Sequence, residues 1–207
     1  MGVDRSLMRA SPEKLQSLAQ SREPLTGGQA VVQGLLKYGI TAGFGVPSIH
    51  NIAIYEALRQ EPSFQHLPVR HEQAAAFAAD GFARRSGRLA VVFASTGPGN
   101  LFTLAPLLES FQTNTPVLVV GTNVASSLLD KPCSALHETP RQLDLFRPLT
   151  RLALRVTSPD AIPEAIARAV EVLHGPTPGP AFIEVPHDFL SAPVAADFPE
   201  WPRKIAT

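Results

Sequence analysis

Apolar positions along this chain fall into two patterns that alternate from end to end. Between Thr26 and Gly39, Val32, Leu35 and Leu36 recur at helical spacing. Thr26 and Gln29 are spaced as a capping box, Leu25 and Ala30 are placed to staple it, and Gly39 suits a left-handed stop. AGFGV at 42–46 is a short apolar run halted by Pro47, which predicts a buried strand. A helix from about Ile49 to Arg59 and a short strand at 67–69 are expected next. Ala74, Phe77, Ala78, Gly81 and Phe82 then form a helical stripe, predicted to be a buried face. Gly81 within it costs about 1 kcal/mol against Ala, which points to close packing on a neighbouring backbone.

PAFIEVP at 180–186 is expected as the last strand, and two runs before it, LAVVFA at 89–94 and PVLVVG at 116–121, are continuously apolar. That is the signature of strands buried on both faces of a parallel sheet. TRLALRV at 150–156 alternates and suits an edge strand. STGPG leads into a helix ending near Gln112, and a longer loop at 122–138 precedes a short helix after Pro140. Ile162, Ile166, Ala169, Val170 and Leu173 line one helix face that Gly175 ends. Pro163 fits only a first turn, so Asp160 is the expected N-cap. Six strands interleaved with helices predict a doubly wound α/β fold, its sheet mainly parallel with helices on both faces. The domain is expected over 26–190, after an N-terminal extension (1–25). A proline-rich tail (191–207) is expected as a linker or partner-contacting arm. Ligands in such sheets sit beyond the carboxyl ends of the strands. The loops concerned are VPSIH, RHE, STGPGN and GTN.

Composition removes several functions. Eighteen basic and eighteen acidic residues give no net charge, so no basic field for nucleic acid. The single cysteine, Cys133, excludes an internal disulfide framework and fits a reducing, cytoplasmic setting. No apolar run approaches the roughly 20 residues that span a bilayer. The first 25 residues lack the apolar core of a secretory signal, and MGVDRS matches the loose myristoylation pattern without a second membrane signal. His71-Glu72 and His137-Glu138 open like the zinc motif H-E-x-x-H, but Ala75 and Arg141 stand where the second histidine would be, so no metal site is expected. There is no serine-hydrolase elbow and no P-loop. Gly43-Phe44-Gly45 resembles a dinucleotide fingerprint only until Pro47.

Two features remain. Glu72 lies where an extended segment, LPVR, turns into an alanine-rich helix with no further acid before Asp80. It is either a helix-capping acid or a proton-handling group. Gly97-Pro98-Gly99 follows a buried strand and leaves room for a neighbouring molecule at a helix N-terminus, or is an ordinary strand-to-helix turn.

The segments GGQAVVQGLLKYGITAGFGVP, RHEQAAAFAADGFARRSG, ASTGPGN, TPVLVVGTN, HETPRQ and PTPGPAFIEVPHD stand in a fixed order over roughly 26–190. Together they resemble the pyrimidine-binding (PYR) domain of thiamine-diphosphate enzymes of the acetolactate synthase group. The resemblance implies thiamine diphosphate as cofactor and assigns Glu72 to the ring nitrogen of its aminopyrimidine, where a carboxyl shielded from water passes a proton. It places Pro47, Ser48, Thr96, Gly97, Pro98, Gly99 and Asn100 against the cofactor. His50 and His137 stand where many such synthases carry a small residue and a glutamine. Facing the reacting carbon, either would act as acid or base near neutral pH. His71 is expected only to flank Glu72.

The same family holds magnesium and diphosphate on a separate PP domain, marked by Gly-Asp-Gly and a later Asn-Asn pair. Neither occurs in these residues. The resemblance therefore implies a PYR subunit of a split enzyme acting on a small 2-oxo acid by decarboxylation or carboligation. It would be inactive alone, pair with a PP subunit that carries the Mg2+, and self-associate through its PYR domains, as in an α2β2 assembly. The alternatives are a non-catalytic PYR-fold binding or regulatory protein, a sulfopyruvate or phosphonopyruvate decarboxylase-type subunit, and an unrelated α/β protein.

Overall fold

A computed structural model describes residues 24–200. The MGVDRS pattern, most of the N-terminal extension and residues 201–207 of the tail lie outside them. Six strands form one sheet in the order β3-β2-β4-β5-β7-β6, every neighbouring pair parallel. They are β2 (Ala42–Gly45), β3 (Gln65–Pro68), β4 (Val91–Ala94), β5 (Leu118–Asn123), β6 (Leu152–Arg155) and β7 (Ala181–Pro186). Every residue of β2, β4, β5 and β7 is buried, including the polar Thr122 and Asn123 on β5 and the charged Glu184 on β7. The alternating segment β6 is an edge strand, as expected.

Helices cover both faces. On one side α1 (Gly27–Lys37) and α7 (Ile162–Leu173) enclose a core that includes Leu35, Ile40, Ile54, Phe93, Leu118, Ile166 and Ile183. Helix α2 (Ile52–Arg59) joins them. On the other side α3 (Glu72–Ser86) and α5 (Leu104–Gln112) pack a thinner core around Phe44, Val92, Val119, Phe146 and Phe182. The Phe146 and Phe182 rings stack with centroids 3.6 Å apart. Two short helices, α4 (Pro98–Leu101) and α6 (Gln142–Phe146), complete the fold.

The Thr26–Gln29 capping box is present in both directions, and Gly39 adopts φ +77° after α1. Three expectations change. The α3 stripe is inverted: Ala75, Ala76, Ala79, Asp80 and Ala83 are the buried residues, whereas Ala74 and Gly81 are exposed and Phe77 is 48% exposed. A Cβ at Gly81 would meet nothing within 4 Å, so no backbone packs there. Small residues decide the orientation, because the alanine side lets α3 lie close on the sheet while Phe77 would hold it off.

Asp160 is not the N-cap of α7. It lies in a 3-10 turn (Pro159–Ala161), and its carboxylate accepts from the amides of Ala195 (2.7 Å) and Ala196 (3.2 Å). Those residues belong to the tail, which returns onto the domain. There β8 (Pro193–Val194) pairs antiparallel with β1 (Leu25–Thr26), so β7 is not the last strand. Beyond it, Phe198 packs on the main core and Tyr38 Oη donates to Pro199 O at 2.9 Å.

Candidate functional site

The carboxyl ends of β2, β3, β4, β5 and β7 gather the loops that carry the candidate residues. Glu72 is the first residue of α3 and is half-buried. His71 caps this helix, its Nδ1 accepting from Gln73 N at 3.2 Å, and its ring packs on Phe102 with centroids 4.3 Å apart. That capping role leaves the Glu72 carboxylate free of the helix end. No protein hydrogen bond to it is found among the described residues.

The glycine loop fits against Glu72 from the β4 side. A Cβ at Gly99 would stand 2.8 Å from Glu72 Oε1 and 2.9 Å from Ser95 Cβ. Only a glycine lets the helix start come that close to the carboxylate. Gly97 adopts φ +62°, and a Cβ there would collide with His137 O. The loop before α6 thus rests directly on Gly97. Gly97 N donates to Gln142 Oε1 at 2.9 Å.

Thr96 and Asn100, expected against the cofactor, are turned inward instead, and both are fully buried. Thr96 Oγ1 meets Thr122 Oγ1 at 2.9 Å, and Asn100 Nδ2 donates to Thr122 O at 2.8 Å. Their side chains fasten the loop to β5, and Asn100 Oδ1 is left buried without a partner. Pro98 is exposed, Gly97 and Gly99 supply the backbone, and Pro47 is exposed on the opposite loop. Ser48 N donates to Asn51 Oδ1 at 2.7 Å, whereas Ser48 Oγ is buried without a partner.

His50 and His137 come together, their ring centroids 5.9 Å apart and nearly perpendicular. His187 joins them, stacked on His50 at 4.9 Å with planes 13° apart. Burial lowers the His50 pKa below its ordinary 6.5, and the charges of His187 and His137 add to this. His187 was not foreseen from the sequence. It follows β7 at the same sheet edge, so extending the carboxyl-end argument to the last parallel strand would have found it.

Tyr55 was also missed. Burial raises its hydroxyl pKa well above 10, the Glu72 charge adds to the rise, and the hydroxyl has no hydrogen-bond partner. It lies inside the helix expected at 49–59, and nothing in the sequence singled it out. Gln142 had no signal at all. Its amide Nε2 donates to Thr122 O at 3.1 Å and to Glu184 Oε1 at 2.9 Å, coupling the glycine loop to a fully buried carboxylate on β7.

A cavity of about 160 Å³ opens between the end of β5 and the following loop, lined in part by Asn123, Asp130, Glu138 and Arg141. Glu72 and His50 do not line it. No described helix is long and apolar enough to cross a membrane, and no described group of three His, Cys, Asp or Glu residues is arranged to hold a metal ion.

A six-stranded parallel sheet with a glycine loop pressed onto a carboxylate at a helix start is an arrangement suited to a coenzyme-binding class of protein. Its resident group is tested by two features. The carboxylate has no partner of its own, and the glycines beside it exclude side chains from the space around it, which suits a planar ring held by a hydrogen bond. Over residues 25–146 the chain matches the family model "Thiamine pyrophosphate enzyme, N-terminal TPP binding domain", and it belongs to this family.

Similar proteins include "Probable 2-ketoarginine decarboxylase AruI" of Pseudomonas aeruginosa, 38% identical over 192 residues, which cover 92% of this chain and 34% of that protein. The acetolactate synthase large subunit of Corynebacterium glutamicum is 32% identical over 197 residues, 94% of this chain and 30% of that protein. Acetolactate synthase isozyme 3 large subunit of Escherichia coli is 30% identical over 184 residues, 89% of this chain and 31% of that protein. The chain thus spans about a third of the length of these relatives.

Proposed function

We propose that these residues form the pyrimidine-binding side of a thiamine-diphosphate enzyme that decarboxylates or ligates 2-oxo acids. The observation that carries this reading is the Glu72 carboxylate, placed at the start of α3 and held against Gly99. When bound, thiamine diphosphate supplies the electron sink for loss of a carboxylate. Glu72 then holds and passes a proton at the ring nitrogen of the aminopyrimidine. Gly97 and Gly99 admit the ring, Pro47, Ser48 and Pro98 border it, and α3 fixes the carboxylate by its own start. His50 and His137 stand as the acid or base candidates on the substrate side. Relatives named as a probable 2-ketoarginine decarboxylase and as acetolactate synthases support 2-oxo acid chemistry.

The diphosphate and Mg2+ are held by a PP domain outside these residues, and a separate PP subunit is the arrangement to be tested. The exposed stripe of α3, together with Phe102 and Leu108, provides an apolar face for a second copy of the domain.

The chain is co-expressed with a PP-domain protein and supplied with thiamine diphosphate, Mg2+ and a panel of 2-oxo acids. Glu72→Gln should lower turnover by about 100-fold or more while leaving the complex assembled. Unchanged turnover would sink the assignment, and failure of any PP-domain protein to bind would favour a non-catalytic binding or regulatory protein.

A further inference from the structure

We propose that His50, His137 and His187 form a subsite for the carboxylate of the 2-oxo acid, with His187 as a specificity-determining residue. This deepens the reading above and rests on it for the identity of the acid.

The three imidazoles come from separate segments: the turn after β2, the loop before α6, and the 3-10 turn (His187–Leu190) after β7. Their rings lie within 4.9–5.9 Å of His50, yet none makes a hydrogen bond or ion pair among the described residues. The acids beside them in the chain are turned away. Glu138 Oε2 accepts from Ala135 N at 3.0 Å and Cys133 N at 3.3 Å. Asp188 accepts from Ser126 N at 2.9 Å through one oxygen and Ser126 Oγ at 2.6 Å through the other. Three donor-bearing rings are therefore left together, with the neighbouring carboxylates already occupied. An isolated structural histidine ordinarily pairs its ring nitrogens when buried, whereas His50 Nδ1 is buried and unpaired.

A metal does not fit this arrangement. Two rings stacked nearly parallel at 4.9 Å cannot both point a nitrogen at one ion. A carboxylate does fit, because its two oxygens accept from separate N–H donors and its charge offsets the repulsion that protonation would bring to the cluster. His137 is exposed, which leaves the cluster open to solvent on that side. The groups whose charges act on His50 are His137 and His187, and an incoming anion opposes their effect on it.

The imidazole signals of the full 207-residue chain are followed by NMR during pH titrations with pyruvate, with neutral pyruvamide and with inorganic phosphate. Pyruvate should shift the His50 and His187 signals and raise the His50 midpoint by about one pH unit. His187→Phe keeps a ring on His50, removes the donor, and should weaken the pyruvate response at His50 by about tenfold, with the remaining spectrum unchanged. His50→Phe should abolish the response at His187.

An equal response to pyruvamide would overturn the proposal. So would an equal response to phosphate, or none to pyruvate up to roughly 100 mM, the range of a weak site. Because these signals do not depend on Glu72 or on cofactor, the outcome is separable from that of Glu72→Gln. Loss of the Glu72 effect with a retained pyruvate response would leave a carboxylate-binding site on a protein that is not a thiamine-dependent catalyst.

Discussion

Two glycines hold the site at the scale of single residues, for different reasons. Gly97 needs a positive φ and has the His137 carbonyl directly above its Cα. Gly97→Ala should destabilise the fold by about 2–4 kcal/mol, from backbone strain plus a clash with main chain that cannot move aside cheaply. Urea unfolding checks this. At Gly99 the nearest obstacle is the tip of Glu72, a flexible side chain, along with Ser95 Cβ. Gly99→Ala should therefore cost only about 1–2 kcal/mol of stability. The displaced carboxylate should lower turnover of the assembled enzyme by about tenfold or more. Equal losses of stability in the two variants would refute the distinction. Glu72 itself was legible in the sequence because a lone acid before an alanine run is visible locally. The contact with Gly99 was not, since 27 positions separate them.

Among the elements, the joins between strands and loops carry the polar load. Glu184 on β7 is fully buried and accepts from Asn123 and Gln142, each at 2.9 Å, while Arg155 on β6 supplies the compensating charge. Arg155 also reaches Asp130 at 2.6 Å, tying the long loop to the sheet edge. Arg155→Ala leaves Glu184 buried without its cation and should cost about 3–5 kcal/mol, read from the unfolding midpoint. Asp160→Ala should behave differently. It frees the amides of Ala195 and Ala196, so hydrogen exchange should rise in the tail strand β8 while the global midpoint moves little. The sequence marked Asp160 as a helix cap because an acid before Pro163 has that pattern. Its real partners lie 35 and 36 residues downstream.

For the whole molecule, acid sensitivity follows from two half-buried histidines. Burial lowers the pKa of both His50 and His66 below 6.5. Below pH 6.5 the unfolded chain binds protons that the folded chain resists, so stability is full above that pH and falls as the pH drops toward the folded-state values. The melting temperature should decline on acidification through this window, and His66→Phe should flatten the decline if His66 contributes as described. The same scale governs the exposed face of α3. Phe77→Lys should leave the fold intact and shift the sedimentation coefficient toward that of a monomer, if a second copy covers this face.

The sequence by itself determined the alternation of strands and helices, the burial of β4 and β5 on both faces, and the edge where Glu72 stands. These follow from periods of two and 3.6 residues that need no knowledge of distant neighbours. Only the tertiary structure decided which side of α3 faces the sheet. Alanines on both sides made its apolar pattern ambiguous, and close packing favoured the side without Phe77. The tertiary structure likewise turned Thr96 and Asn100 inward, and it gathered His50, His137 and His187 from three loops. Contacts across the carboxyl ends of a parallel sheet depend on strand order, which local periodicity does not encode.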